Sequence, residues 1–241
     1  MSSTAFSRTS NSALLSGVVG SLTLLIISGC ATLPGKLLYR DDFADLANWH
    51  IEAEKPGRVA AAYGVLDIEV PAGVTLWFKP RLEGPVTIEF EATAVSEGGP
   101  NDQVSDLNVF WMARNTDGQE PVFAHARSGA FAEYNDLRTY YVGLGGNRNT
   151  TSRFRRYIGD PVVRPLLPEH DVSARTAMLV PNQEQTITLI ADGSRIEYRR
   201  DGETLFRLDD REPYTQGWFA LRTTYSHLRI RALRIYAGRG D

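Results

Sequence analysis

The sequence has almost no cysteine: Cys30 is the only one in 241 residues. An intramolecular disulfide is therefore excluded, and so is a metal site built from thiolates. Histidine is scarce too. His50, His125, His170 and His227 are scattered, without the paired spacing of a metal site. His50, His170 and His227 read as surface or capping residues. An excess of basic charge is also missing. The 26 basic residues face 29 acidic ones, a formal charge of −3, which removes the electrostatic footprint of a nucleic-acid binder. The composition lacks the signature of disorder, since 42% hydrophobic and 10% aromatic residues are enough to build a core. The mature part of the chain has no long segment with a 3.6-residue apolar period, which argues against a helical bundle.

What is present begins with the position of that cysteine. Residues 1–29 carry one basic residue, Arg8, and no acid. An apolar run from Ala13 to Ile27 ends in Ile27-Ser28-Gly29-Cys30. The run is short for a membrane span. It resembles a bacterial lipoprotein signal: a short n-region, an apolar h-region and a small-residue site directly before Cys. The resemblance implies that residues 1–29 are removed and that Cys30 is lipidated, leaving residues 30–36 as a tether to a single domain over 37–241. Ala31 follows the Cys, and the absence of Asp there resembles outer-membrane sorting. The expected location is the cell envelope, with a lipid anchor at the outer membrane.

The mature chain reads as β nearly throughout. Val86-Thr87-Ile88-Glu89-Phe90-Glu91-Ala92 alternates apolar and polar, the mark of a half-buried strand. Similar runs are Leu37–Phe43, Val65–Val70, Thr75–Lys79, Leu107–Arg114, Thr139–Leu144 and Thr151–Tyr157. Further on come Thr186–Ile190, Arg195–Arg199, Thr204–Leu208, Trp218–Arg222 and Leu228–Tyr236. Asp192-Gly193 and Asp201-Gly202 mark hairpin turns. Short strands with turn signals between them predict an all-β, two-sheet antiparallel sandwich. The stretch Pro161–Pro181 reads as a long surface loop.

The ends of the mature chain carry a family resemblance. Leu38-Tyr39-Arg40-Asp41-Asp42-Phe43, then Trp49, then Gly64-Val65-Leu66-Asp67-Ile68 resembles the opening of concanavalin A-like jelly-roll domains of the lectin and glucanase superfamily. Tyr198-Arg199-Arg200-Asp201-Gly202-Glu203, Pro213, Gly217-Trp218-Phe219-Ala220-Leu221-Arg222 and Leu228–Tyr236 resemble its closing strands. The middle is similar to an uncharacterised branch found in secreted bacterial proteins associated with polysaccharide degradation. It comprises Asn108–Ala113, Tyr140–Asn147 and Thr150–Tyr157. The resemblance covers about residues 37–236. Its end motifs are common to many members and imply fold rather than activity. Structural Ca²⁺ is common in this superfamily, but no acid cluster in the sequence demands it, and no other cofactor is implied.

Strand phase organises the middle segment. In Thr151–Ile158, Phe154 points to the core with Ser152 and Arg156, so Arg153, Arg155 and Tyr157 point outward. In Thr139–Gly145, Tyr140, Val142 and Leu144 form the apolar face, and Tyr141, Gly143 and Gly145 lie opposite. In the last part, Phe219 and Leu221 read as buried, leaving Trp218, Ala220 and Arg222 on the other face. If the two middle strands are adjacent, an open face carries tyrosines, bare backbone and guanidinium groups. A sugar polymer needs such a surface. Residues 148–156 hold Arg148, Arg153, Arg155 and Arg156 and no acid. That local charge suits a uronate-containing or sulfated glycan; alternatively, the arginines pair with acids on neighbouring strands. Further candidate substrate contacts are Asn108, Trp111, Gly145, Asn147 and Asn149, with Tyr157 and Arg222.

The expected partner is thus a carbohydrate, with no nucleic acid. For hydrolysis, two carboxylates must flank the bond. The compact Glu-x-Asp-x-x-Glu arrangement of jelly-roll glucanases is absent, and Glu89 and Glu91 read as a solvated strand face. β-Elimination needs a group that neutralises the uronate carboxylate and a base that removes the adjacent proton. Arg153 or Arg155 with Asn147 supply the first, and Tyr141 or His125 the second, with nearby positive charge expected to lower the tyrosine pKa. A lyase is expected ahead of a hydrolase. The alternative is a non-catalytic glycan-binding lipoprotein. The anchor has a direct test: Cys30→Ser is expected to release the protein from the membrane fraction, and unchanged membrane association overturns the lipoprotein reading.

Overall fold

The computed structural model describes Met1, Ser2 and residues 35–238. Cys30 and the lipoprotein signal lie outside the described residues. Sixteen strands run in chain order: β1 Leu37–Asp41, β2 Trp49–Ala53, β3 Arg58–Ala62, β4 Val65–Val70, β5 Val74–Phe78, β6 Leu82–Glu83, β7 Val86–Ala94 and β8 Leu107–Arg114. Then come β9 Arg138–Gly145, β10 Thr151–Ile158, β11 Asp171–Val172, β12 Glu184–Asp192, β13 Arg195–Arg200, β14 Glu203–Asp209, β15 Gln216–Thr223 and β16 Ser226–Ala237.

The strands form two eight-stranded antiparallel sheets, a jelly-roll sandwich. The first has the order β14-β13-β12-β7-β16-β4-β3, with β1 also pairing with β16. The second has the order β11-β10-β9-β8-β15-β5-β2, with β6 also pairing with β15. The closing strand β16 pairs with β4 through its first half and with β1 through its second, so the chain's end returns to its first strand. The Asp-Gly pairs fall at the turns joining β12 to β13 and β13 to β14.

Period-two alternation builds the core. Ile88 and Phe90 of β7 and Ile230 and Ile235 of β16 meet Val142, Phe154 and Phe219 of the second sheet, all fully buried or nearly so. Burying each such side chain contributes roughly 1.5–3 kcal/mol. Glu89 and Glu91 occupy the opposite phase of β7 and are only half-buried.

The structure corrects four expectations. Trp111 does not face a ligand. It is fully buried between the sheets, with ring centroids 5.8 Å from Phe154 and 5.4 Å from Tyr140. Asn108 and Phe110 point outward on β8, so Val109 and Trp111 point inward, before a bulge at Met112 breaks the alternation. The stretch Pro161–Pro181 is not only loop: β11 pairs with β10, and Met178 and Leu179 are buried. His170 and His227 are not surface residues. His170 packs edge-on against Phe154, and His227 lies between Asp102 (2.8 Å) and Asp67 (3.1 Å). Finally, Trp49–Ala53 and Arg58–Ala62 form strands that the sequence pattern did not reveal.

Arg156 follows the inward phase of β10 and ends in a buried polar knot. Asp210 accepts hydrogen bonds from Arg156 Nε (2.6 Å), the Tyr140 hydroxyl (2.7 Å) and the Glu212 amide (2.9 Å). Burial alone pushes the Asp210 carboxyl up, but these donors outweigh it and hold the group below its ordinary value. The unfolded carboxyl titrates near about 3.9. The stabilisation is therefore complete above that pH and is lost as pH falls through the lower folded-state value. Asp210→Asn is expected to lower stability at neutral pH by about 1–3 kcal/mol. It should also flatten the acid limb of a melting-temperature-versus-pH curve, and an unchanged limb would exclude this knot as a source of acid sensitivity.

Candidate functional site

The outer face of the second sheet is ordered in transverse rows. One row of register partners reads Arg153, Gly143, Asn108, Arg222, Thr75, Glu52 from β10 to β2. The next reads Arg155, Tyr141, Phe110, Ala220, Trp77, His50. Rows two residues apart on a strand lie about 7 Å apart. The first row is almost wholly polar, while the centre of the second is aromatic and apolar.

Residues 115–137 cross the face and cover the second row. Val122, Tyr134 and Leu137 pack with Trp77, Phe110, Tyr141 and Tyr157 into a second apolar cluster, with Phe131 at its margin. The crossing segment is tied down by hydrogen bonds. Arg127 donates to the Val122 and Glu133 carbonyls and to Asn115 Oδ1. The Tyr134 hydroxyl and Trp77 Nε1 both donate to Glu52 Oε2, at 2.7 and 2.9 Å.

The uncovered part of the polar row is a cleft of about 270 Å³. Its floor includes Asn108, Tyr141 and Gly143. Its walls carry Arg153, Arg155, Arg164 and Arg222, with Asp106, Phe131 and Asn147 on other sides. Gly143 must be glycine for the floor to stay open. A Cβ there would stand 2.7 Å from the Tyr141 hydroxyl and 3.3 Å from Asn108 Oδ1.

The charges in this cleft are unevenly compensated. Arg153 Nε donates to Asp171 at 2.6 Å. Arg155 Nη1 donates to the Arg164 carbonyl, and Arg164 Nη1 donates to Asn135 Oδ1 at 3.4 Å. Arg222 is 3% exposed. Its Nη1 donates to Thr75 Oγ1 (2.7 Å) and the Gly129 carbonyl (2.8 Å), and its guanidinium carbon lies 5.0 Å from the ring centres of both Phe131 and Tyr134. Among the described residues no carboxylate forms an ion pair with Arg155, Arg164 or Arg222. Burial pulls the Arg155 and Arg222 guanidinium groups below their usual value, but an arginine remains charged. Asn108 Oδ1 is buried and has no hydrogen-bond partner among the described residues.

Among the described residues, Asp106 is the single carboxylate on the cleft wall. Burial raises its pKa, against hydrogen bonds from Ser105 and Asn108 and the charge of Arg222. Burial also pushes the Tyr141 phenol well up, with Arg222 and Arg155 opposing only in part. The expected lowering of its pKa is therefore corrected: desolvation outweighs the arginines, and Tyr141 is protonated at neutral pH.

The structure brings Asn108, Tyr141, Asn147, Arg153, Arg155 and Arg222 together around one cleft. Other candidates lie elsewhere. His125 is exposed and paired with Asp117 at 2.9 Å, outside the cleft lining. Tyr157 is buried in the aromatic cluster. Gly145 and Asn149 shape the β9–β10 turn instead of lining the cleft. The Asn149 side chain clamps the Leu179 backbone, donating to its carbonyl and accepting from its amide, both at 2.9 Å. Asn147, Arg148 and Asn149 all adopt left-handed backbone, at φ 53°, 59° and 60°, a conformation costing roughly 1–3 kcal/mol per residue. Asp106, Phe131 and Arg164 were not anticipated. Asp106 and Arg164 sit in irregular segments where period-two reasoning has no purchase, although Asp106 stands just before the polar–apolar run of β8.

The family described as "Domain of unknown function (DUF6250)" matches residues 68–233. No curated protein matches the chain in sequence. Solved structures share its fold. One is a protein of unknown function with a galectin-like fold from Bacillus subtilis (TM-score 0.64, 14% identity, covering 85% of this chain and 97% of that one). Another is the carbohydrate-binding module CBM66 from Bacillus subtilis (TM-score 0.53, 10% identity, 79% and 96%). A third is a LamA variant from Zobellia galactanivorans in complex with laminaritriose and laminaritetraose (TM-score 0.54, 12% identity, 85% and 100%). At these identities the likeness establishes the jelly-roll fold and nothing finer.

The β9–β10 turn gives a test of how the cleft is held. Gly145 has φ 67°, and a Cβ there would lie 2.6 Å from Asn149 Oδ1 and 2.7 Å from Leu179 Cδ1. Gly98 also has positive φ, 94°, but opens onto empty space. Gly145→Ala is expected to cost about 1 kcal/mol more than Gly98→Ala, read as the difference between the two melting temperatures. Equal costs would show that the turn is not packed as described.

Proposed function

This chain belongs to the DUF6250 family, and we propose that it binds an anionic carbohydrate, carboxylated or sulfated, in the cleft of its second sheet. The observation that carries the reading is Arg222: a buried guanidinium at the cleft wall with no ion-pair partner among the described residues. A buried charge left unpaired is costly, and an acidic ligand supplies the missing partner. Arg155 and Arg164 extend the same demand. Asn108 Oδ1, an unused buried acceptor, suits a ligand hydroxyl. Aromatic rings and polar groups side by side suit a sugar, which presents both apolar faces and hydroxyls. The names of the fold neighbours, a carbohydrate-binding module and a LamA complex with oligosaccharides, support the carbohydrate half of the reading. With the anchor expected at Cys30, the protein would hold its glycan at the cell envelope.

Lyase-type β-elimination is the second reading. It is favoured by the Tyr141 hydroxyl, which lies over the cleft floor on the strand position paired with Arg155. Arginines that neutralise a uronate carboxylate make the adjacent C–H more acidic. Tyr141 begins protonated, however, which fits a proton donor better than a base. His125 lies outside the cleft lining and does not fill the vacancy.

Calorimetric titration with uronate oligosaccharides and their neutral counterparts tests the proposal. Acidic ligands should bind at least tenfold more tightly than neutral ones, and Arg155→Gln should remove about ten- to hundredfold of that affinity, the effect of one charged hydrogen bond. Equal affinity for neutral and acidic ligands overturns the anionic reading. In the same incubations, the ultraviolet absorbance of an unsaturated product, abolished by Tyr141→Phe with binding retained, would establish the lyase reading.

A further inference from the structure

We infer that the arginine cleft is one end of a longer groove, and that the ligand is an oligosaccharide whose acidic unit sits among the arginines while the next unit lies against Tyr225. This rests on the anionic-carbohydrate reading and extends it from a single sugar to a chain. A second hollow, of about 580 Å³, adjoins the cleft. The two share Asp106, Asn147 and Thr224 as a common wall, and the second adds Gln103, Ser105, Arg148 and Tyr225.

The second hollow combines an exposed aromatic ring with left-handed backbone in its lining. Tyr225 is 55% exposed, a large aromatic left uncovered in the connection between β15 and β16. Its φ is 48°, a region that bulky residues rarely enter. Asp106 (58°), Asn147 (53°) and Arg148 (59°) share that left-handed backbone. Four non-glycine residues are thus held against their own preference around one opening, and such strain persists where the surrounding structure enforces it.

The enforcement is visible. The Asp106 amide donates to the Gly145 carbonyl at 3.1 Å. The Asn149 clamp on Leu179 fixes the turn that carries Asn147 and Arg148. Ser226, next to Tyr225, donates through its hydroxyl to the Gln103 and Ser105 carbonyls, at 3.1 and 2.9 Å. The three segments bordering the hollow are therefore tied to the framework. An exposed aromatic face beside amides and a guanidinium is the chemistry that holds a sugar ring. Arg148 brings a cation to the second hollow, so an acidic unit is accommodated there as well.

The experiment uses the folded protein and defined probes: galacturonate, glucuronate, mannuronate and sulfated galactose monomers and their tetramers, titrated calorimetrically. A tetramer should bind at least tenfold more tightly than its monomer. Tyr225→Ala should remove about tenfold of tetramer affinity while leaving monomer affinity and melting temperature unchanged. Arg155→Gln should weaken both ligands. Equal binding of monomer and tetramer, or an unaffected tetramer with Tyr225→Ala, overturns the groove but leaves the arginine cleft intact. Absence of binding by every probe overturns the anionic-saccharide reading and the groove with it.

Discussion

The guanidinium of Arg222 joins the two halves of the outer face of the second sheet. On one side it receives the Gly129 carbonyl and the rings of Phe131 and Tyr134, all from the segment that crosses the sheet. On the other it borders an open cleft. Two acids, Glu54 and Asp106, act on it through space without forming an ion pair. A charge this deeply placed needs organised partners. The fold supplies a carbonyl, a hydroxyl and two aromatic faces, and no carboxylate among the described residues pairs with it. The covering segment and the cleft are thus two consequences of one side chain, and disturbing the first alters the second.

The division of the face into a polar and an aromatic row follows from strand pairing. Because side chains alternate with period two, residues in register across five or six strands share a face whatever their distance in sequence. Arg153, Gly143, Asn108 and Arg222 span 115 positions of the chain in number but form one line in space. The fold neighbours share this framework at 10–14% identity. A jelly roll supplies rows, and side chains decide what those rows recognise.

Much of this arrangement was legible from alternation alone. Phe154 between Arg153 and Arg155, and Tyr141 between Tyr140 and Val142, fix which side chains face outward once the strands pair. The same reasoning places Trp111 inside with Val109, away from any substrate on the outer face. Tyr141 shows a different limit. Its neighbours are cationic, as expected, but sequence carries no measure of desolvation, and desolvation sets the direction of its pKa. Asp106 and Arg164 were out of reach because irregular backbone has no period. Within residues 148–156, Arg153 pairs with Asp171 and Arg156 with Asp210, acids 18 and 54 residues away, which no local pattern encodes.

The left-handed turn between β9 and β10 also acts as a register lock. It sets how many residues separate Tyr141 from Arg153, and β10 leaves it with Phe154 turned inward. One residue added or removed there would shift β10 by a single position. Arg153 and Arg155 would rotate toward the hydrophobic interior and Phe154 toward water. A change of two residues would preserve the faces but slide the guanidinium groups along the sheet by one row. Evolutionary freedom at this turn is therefore quantised: side chains on its rim can vary, whereas its length cannot change by one without inverting the strand that supplies the cations.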